Sequence, residues 1–162
     1  MRLSDGVEWG AHCCVLLSFL PEGRALPTAR LAEFNGVPPA YLAKHLQALS
    51  RAGIVEAVTG PGGGYRLARP ASAVTMLDVV EAIDGPEPAF RCTEIRRRGP
   101  AAVPAREYRL PCGIHAAMSR ADAAWRAELG ATSIERLAGG LVESAPPATL
   151  TKGWRWLEEV LA

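Results

Sequence analysis

The residue types able to do redox or metal chemistry lie at the two ends of the first two-thirds of the chain. Four cysteines stand at 13, 14, 92 and 112. Cys112-Gly-Ile-His115 is a C-x-x-H unit opening an expected helix, where positions i and i+3 share one side, so both side chains can reach one metal. Glu8 and His12 are four apart on another expected helix, with Trp9 beside them. By spacing alone that pair is a surface contact worth about 0.3 kcal/mol. Cys13 and Cys14 fall where small buried residues are expected. No apolar run is long enough to span a membrane, and the N-terminus lacks the charged region and cleavage site of a signal peptide. The expectation is a cytoplasmic protein whose cysteines are core residues or chemistry rather than structural disulfides. No nucleophile–base set and no nucleotide loop is present, so an enzyme is not expected.

The elements that must position these residues follow from periodicity. Ser4–Leu20 reads as a helix capped by Ser4, with Val7, Ala11, Cys14, Val15 and Phe19 on its apolar side. After Pro21-Glu22-Gly23, Thr28 is an N-cap for a short helix to Phe34, Asn35-Gly36 makes a tight turn, and a longer helix begins at Pro38 or Pro39. That longer helix buries Leu42, Leu46 and Leu49 and offers Tyr41, Lys44, His45, Gln47 and Arg51 on its other face. Gly53 stops it. The β-branched run Ile54–Val58, the glycine turn Gly60-Pro61-Gly62-Gly63-Gly64 and Tyr65–Leu67 make a hairpin. Helix, turn, helix and hairpin are the outline of a winged helix-turn-helix.

Net charge is only +1, but its distribution is uneven. Residues 24–69 hold six Lys/Arg against two acids, 71–90 hold four acids and no base, and 91–109 hold six Arg against two Glu. The helix-turn-helix therefore lies in a basic segment. A helix enters the major groove, where base edges carry a distinct donor–acceptor pattern. Gln47 can read base edges, Lys44 and Arg51 can meet phosphates, Tyr41 can do either, and Thr28 offers a hydroxyl and backbone N–H groups at a helix start. The wing, with Thr59, Gly62 and Gly63, lets backbone approach a neighbouring minor groove. Beyond it, Thr75 caps a helix with Met76, Val79, Val80 and Ile83 on its apolar face. Residues 90–111 form an Arg-rich loop flanked by Cys92 and Cys112, of a length that is usually functional or disordered. The helix Gly113–Leu129 carries a broad apolar stripe (Ile114, Met118, Trp125, Leu129) that a second subunit can cover, and paired subunits suit palindromic DNA. A short helix runs from Thr132-Ser133 to about Leu141. Pro146-Pro147 marks a linker, and Leu150–Ala162 is a last helix.

Met1-Arg-Leu-Ser, Ala40-Tyr-Leu-Ala-Lys44, Gly60-Pro-Gly-Gly-Gly-Tyr65 and Thr75-Met-Leu-Asp-Val-Val80 resemble the family of winged-helix repressors that includes IscR and NsrR, over roughly residues 1–141. The resemblance implies a dimeric transcription factor with a mostly α fold: a winged helix-turn-helix domain plus a long dimerisation helix, α+β only by the small wing hairpin. It divides the chain into 1–88 (DNA-binding domain), 89–112 (cluster-binding loop), 113–141 (dimerisation helices) and 142–162 (linker and C-terminal helix). Many members hold an iron–sulfur cluster in that loop through three cysteines, whereas this loop has two.

Val7-Glu-Trp-Gly-Ala-His-Cys-Cys14 resembles the RsrR-like redox-sensing subgroup, which implies a 2Fe-2S cluster held by Cys92 and Cys112 with Glu8 and His12 of the other subunit. This resemblance, and not the spacing, turns Glu8/His12 from a surface pair into ligands. His115 is the competing ligand, since it falls where three-cysteine members have a histidine. Trp9 becomes a candidate redox relay. Ala43 stands where many members carry a base-reading Glu, and Thr59 where several carry a wing Arg, so the operator departs from the commonest one. The expectation is a homodimeric repressor that binds double-stranded DNA at a palindromic operator, contacts no membrane, and senses redox state. The alternatives are a cluster-free or thiol/disulfide-switched regulator, and an electron-transfer iron–sulfur protein.

Overall fold

The computed structural model describes residues 3–162. The chain forms seven α-helices, α1 (Asp5–Leu17), α2 (Thr28–Asn35), α3 (Pro39–Arg51), α4 (Met76–Asp84), α5 (Gly113–Gly130), α6 (Ile134–Ser144) and α7 (Pro147–Leu161), and one antiparallel hairpin of β1 (Val55–Val58) and β2 (Gly64–Leu67), among the described residues. The described residues divide into two compact units: residues 87–128, and residues 3–86 together with 129–162.

In the larger unit the leucine stripe of α3 dictates the core. Leu42, Leu46 and Leu49 are fully buried with Leu26, Leu31, Ile54, Val74, Val79 and Ile134, each side chain contributing about 1.5–3 kcal/mol by leaving water. Gly36, at φ 65°, closes α2 by returning its N–H to the carbonyls of Ala32 and Glu33, and the Pro38-Pro39 pair starts α3 at once. The hairpin pairs Val55 with Leu67 and Val58 with Gly64. Its second strand is stitched to the start of the helix-turn-helix by Leu26 and Tyr65, which exchange bonds of 2.9 and 2.8 Å. Gly64 is required there: at φ 153°, a Cβ would come within 2.2 Å of the Leu26 carbonyl. Thr75 and Asp78 form a capping box at the start of α4, and backbone bonds from Met76 to Thr132 and from Ile134 to Val74 fasten α6 beside it.

Three local expectations are corrected. Ser4 does not cap α1 with its side chain. It donates to Asp84 through both its hydroxyl (2.5 Å) and its backbone N–H (2.9 Å), tying the first helix to the end of α4. Thr28 is the first residue of α2 rather than its cap, because Pro27 already has the extended backbone of a cap and its carbonyl accepts from Arg30 and Leu31. The last helix begins at Pro147, three residues before Leu150, since proline fits a first turn. That helix packs on the helix-turn-helix rather than extending from it. Leu157 is buried, Trp154 meets Phe19 edge-on with ring centroids 5.1 Å apart, Trp156 meets Phe34 at 4.8 Å, and Arg24 donates to the Leu161 carbonyl.

The smaller unit has two single-turn 3-10 helices, Ile95–Arg97 and Ala105–Glu107, ahead of α5. No residue of α5 is buried, and Ile114 and Met118 are 66% and 40% exposed.

Candidate metal centre and nucleic-acid interface

The loop of the smaller unit, which has no periodic pattern, is organised by polar contacts instead. Glu94 has left-handed backbone, φ 51° and ψ 52°, the only non-glycine residue with positive φ among the described residues. Its N–H donates to Cys92 Sγ at 3.4 Å. The Arg96 guanidinium is the hub of the loop. It donates to Glu94 Oε1 at 2.6 Å and to the Leu110 carbonyl at 3.3 Å, and lies 4.8 Å from the Tyr108 ring centroid, while the Tyr108 hydroxyl donates to the Arg96 carbonyl.

These contacts fold the loop ends together: ligand atoms of Cys92, Glu94 and Cys112 all lie within 4.8 Å of one another. All the cysteines are free thiols. Cys112 stands at the start of α5, where backbone N–H groups of His115 and Ile114 hold its thiol below the ordinary range despite burial, with help from the Arg96 charge. The bond from Arg96 likewise holds the Glu94 carboxyl below its usual range, against a small opposing effect of burial.

The expected site residues divide between the two units. Cys92 and Cys112 are brought together; His115 is not among the donors that meet. His115 is half-buried, its ring centroid is 6.4 Å from that of Phe90, and its Nδ1 is buried without a hydrogen-bond partner. Glu8 and His12 are exposed on α1 in the larger unit and line one groove with Met76, Arg136, Leu137 and Leu141. Cys13 and Cys14 are core residues with thiols pushed up to about 12, chiefly by burial. Sequence reasoning missed Glu94 and Arg96. The available signal was the Cys92-x-Glu94-x-Arg96 spacing, which acquires meaning only through the left-handed backbone at Glu94.

On the DNA side, Tyr41, Lys44, Gln47 and Arg51 are all exposed on α3, opposite its buried leucines. Four of the six cations of the basic segment are engaged: Arg30 with Glu33, Arg66 with Glu56, Arg69 with Asp78, and Arg24 with the Leu161 carbonyl. Among the described residues, Lys44 and Arg51 form no ion pair, which leaves the charge of α3 for an outside anion. Thr28 is half-buried, and Thr59 and Gly62 are exposed near the wing tip. Gly63 is half-buried, with a Cβ excluded by the Val58 carbonyl at 2.4 Å, so it shapes the turn.

His45, expected on the polar face of α3, turns instead toward α1. Trp9 meets it edge-on, with ring centroids 5.8 Å apart and planes at 81°. Gly6 leaves room for the imidazole: a Cβ there would come within 2.3 Å of the ring. The helix bearing Glu8 and His12 is thus in direct aromatic contact with the helix bearing Lys44 and Gln47.

Comparison with known proteins agrees with this architecture. The chain is similar in structure to CymR (YrzC), the global cysteine regulator of B. subtilis, with a TM-score of 0.66 and 22% identity over 86% of this chain and 97% of that one. It is similar to IscR from T. potens, with a TM-score of 0.68 and 16% identity over 90% and 92% of the two chains. It also matches the oxidized form of Staphylococcus aureus CymR, with a TM-score of 0.63 and 22% identity over 85% and 96%. These likenesses establish the winged-helix fold. Residues 3–140 match the sequence model of a family described as iron-dependent transcriptional regulators, and the chain belongs to that family, Rrf2.

Proposed function

We propose that this Rrf2 regulator is a homodimeric repressor that binds a palindromic operator and responds to redox state through a 2Fe-2S cluster held by Cys92 and Cys112 with Glu8 and His12 of the second protomer. The observation that carries this reading is the pairing of two free thiols in a loop of a regulator from an iron-dependent family, one of them held below the ordinary thiol range at a helix start. The donor set fits: two thiolates suit one iron, and a carboxylate and an imidazole exposed on one helix suit the other. Bound there, the cluster supplies a one-electron centre whose potential is raised by replacing two thiolates with His and carboxylate. Glu8 and His12 would hold α1 to the centre. Trp9, next to Glu8, presses on His45 of α3, so a change in the seating of α1 reaches Lys44 and Gln47 through one aromatic contact. Lys44 and Arg51 take phosphates, and Gln47 and Tyr41 meet base edges. Thr28 gives a phosphate the start of α2, and Thr59, Gly62 and Gly63 place the wing.

The absorption spectrum, iron and acid-labile sulfide of anaerobically purified wild type, beside Glu8→Ala, His12→Ala and His115→Ala, test the assignment. The expected result is a coloured wild type and His115→Ala, with the spectrum altered or lost in Glu8→Ala and His12→Ala. A cluster that survives His12→Ala but not His115→Ala replaces His12 by His115. A second reading is favoured by the proximity of the two sulfurs: Cys92 and Cys112 form a disulfide, losing two protons and two electrons to an oxidant. A colourless wild type with titratable thiols selects it.

A further inference from the structure

The third donor at the cysteine pair, Glu94, has no part in the cluster reading. We infer that, in the protein without a cluster, Cys92, Glu94 and Cys112 form a three-donor site, within one protomer, for a single divalent thiolate-preferring cation of the zinc type, with Glu94 as a direct ligand.

Geometry comes first. Bonds of about 2.0–2.3 Å from a tetrahedral ion place its donors about 3.3–3.8 Å apart. The three donors here already lie within 4.8 Å of one another, so closure asks for side-chain shifts of about 1 Å. The donors are also prepared. The left-handed turn at Glu94 brings its own N–H to Cys92 Sγ, and Cys112 stands immediately before α5. Arg96 holds Glu94 through Oε1 and leaves the other carboxylate oxygen for an ion. An anchored ligand loses little side-chain entropy on binding, and its outer partner fixes its orientation.

Charge closes the argument. Two thiolates and one carboxylate sum to −3, a divalent ion adds +2, and Arg96 beside Glu94 adds +1, so the loaded centre is neutral. Two thiolates with a carboxylate select zinc over the harder magnesium and calcium. His115 is not among the meeting donors, and a fourth position remains for water.

The site needs neither Glu8 nor His12, which separates its test from that of the cluster. Cluster-free full-length protein is titrated with zinc(II) in competition with a chromophoric chelator, and with cobalt(II) to record the thiolate-to-metal charge-transfer band. One zinc per chain is expected. Loss of an outer-shell partner costs metal sites about 10–100-fold, so Glu94→Gln, which removes a ligand, should weaken binding by at least about tenfold. Glu94→Asp should recover part of that loss, Cys112→Ser should weaken the charge-transfer band by at least half, and Glu8→Ala and His12→Ala should bind as wild type. Equal affinity of Glu94→Gln and wild type overturns the inference, as does an equal loss in His12→Ala. If zinc behaves as expected and no iron–sulfur protein can be isolated, the mononuclear site stands and the cluster reading falls.

Discussion

At the scale of single residues, the four cysteines differ by environment more than by sequence. Cys13 and Cys14 lie side by side in the core, where burial pushes both thiols up to about 12, so they stay protonated at any physiological pH. Cys112 is shifted the other way by the N–H groups of His115 and Ile114, against the effect of burial, and by the Arg96 charge. Only thiolates are nucleophiles. Timed alkylation of the metal-free native protein with iodoacetamide should therefore label Cys112 with a pH midpoint below the ordinary thiol value, and Arg96→Gln should move that midpoint upward. Cys13 and Cys14 should be labelled only after unfolding; labelling of either at the rate of Cys112 would mean that α1 is not seated as described. The same shift has a sign for stability. A lowered native pKa contributes stability that is fully present above the unfolded thiol value and is lost as pH falls through the native one.

At the scale of elements, α1 joins the Glu8/His12 groove to α3, and beside their shared core the joint includes an edge-on ring contact made possible by a glycine. Gly6→Ala tests it. The added methyl meets the His45 ring, the free end of a side chain, so the ring should move rather than the backbone. The alanine brings up to about 1 kcal/mol of helix propensity, which offsets the displacement. The expected outcome is a melting temperature within a few degrees of wild type and a clear change in DNA affinity, matched by Trp9→Ala. Unchanged operator binding in both variants would remove this contact from the route. The winged helix itself was legible in the sequence because each part has a local cause: the leucine stripe of α3, Gly36 at the turn, Pro39 at the helix start, and the glycine turn of the hairpin. His45 was not legible, because its direction is set by a cavity at Gly6, thirty-nine residues away in the chain. Nor was Glu94, whose approach to the cysteines depends on one left-handed residue and an arginine hub rather than on any period. The seat of α7 escaped for the same reason. Its tryptophans read as an amphipathic face, but that Phe19 and Phe34 receive them is a tertiary choice.

At the scale of the molecule, a net charge of +1 cannot by itself draw the chain to DNA, so affinity must come from how few cations are left uncommitted and how many copies present them. Lys44 and Arg51 are those cations on α3. Each phosphate neutralised contributes a slope of about −0.9 to the logarithm of affinity against the logarithm of salt. If α5 pairs two protomers through Ile114 and Met118, both helices act on one operator, and Lys44→Ala should lower the slope by about 1.8, twice the single-contact value. The variant Ile114→Glu/Met118→Glu places two charges on a helix face with nothing buried, so the protomer should still fold while the pair comes apart. Sedimentation should then report a monomer, the salt slope should fall to about half that of wild type, and adding Lys44→Ala should remove only about 0.9 more. A double variant that still sediments as a dimer would place the subunit contact elsewhere than on the Ile114–Met118 face. A monomer that keeps the full slope would mean that a single copy carries all the phosphate contacts, and the palindromic operator would fall with it.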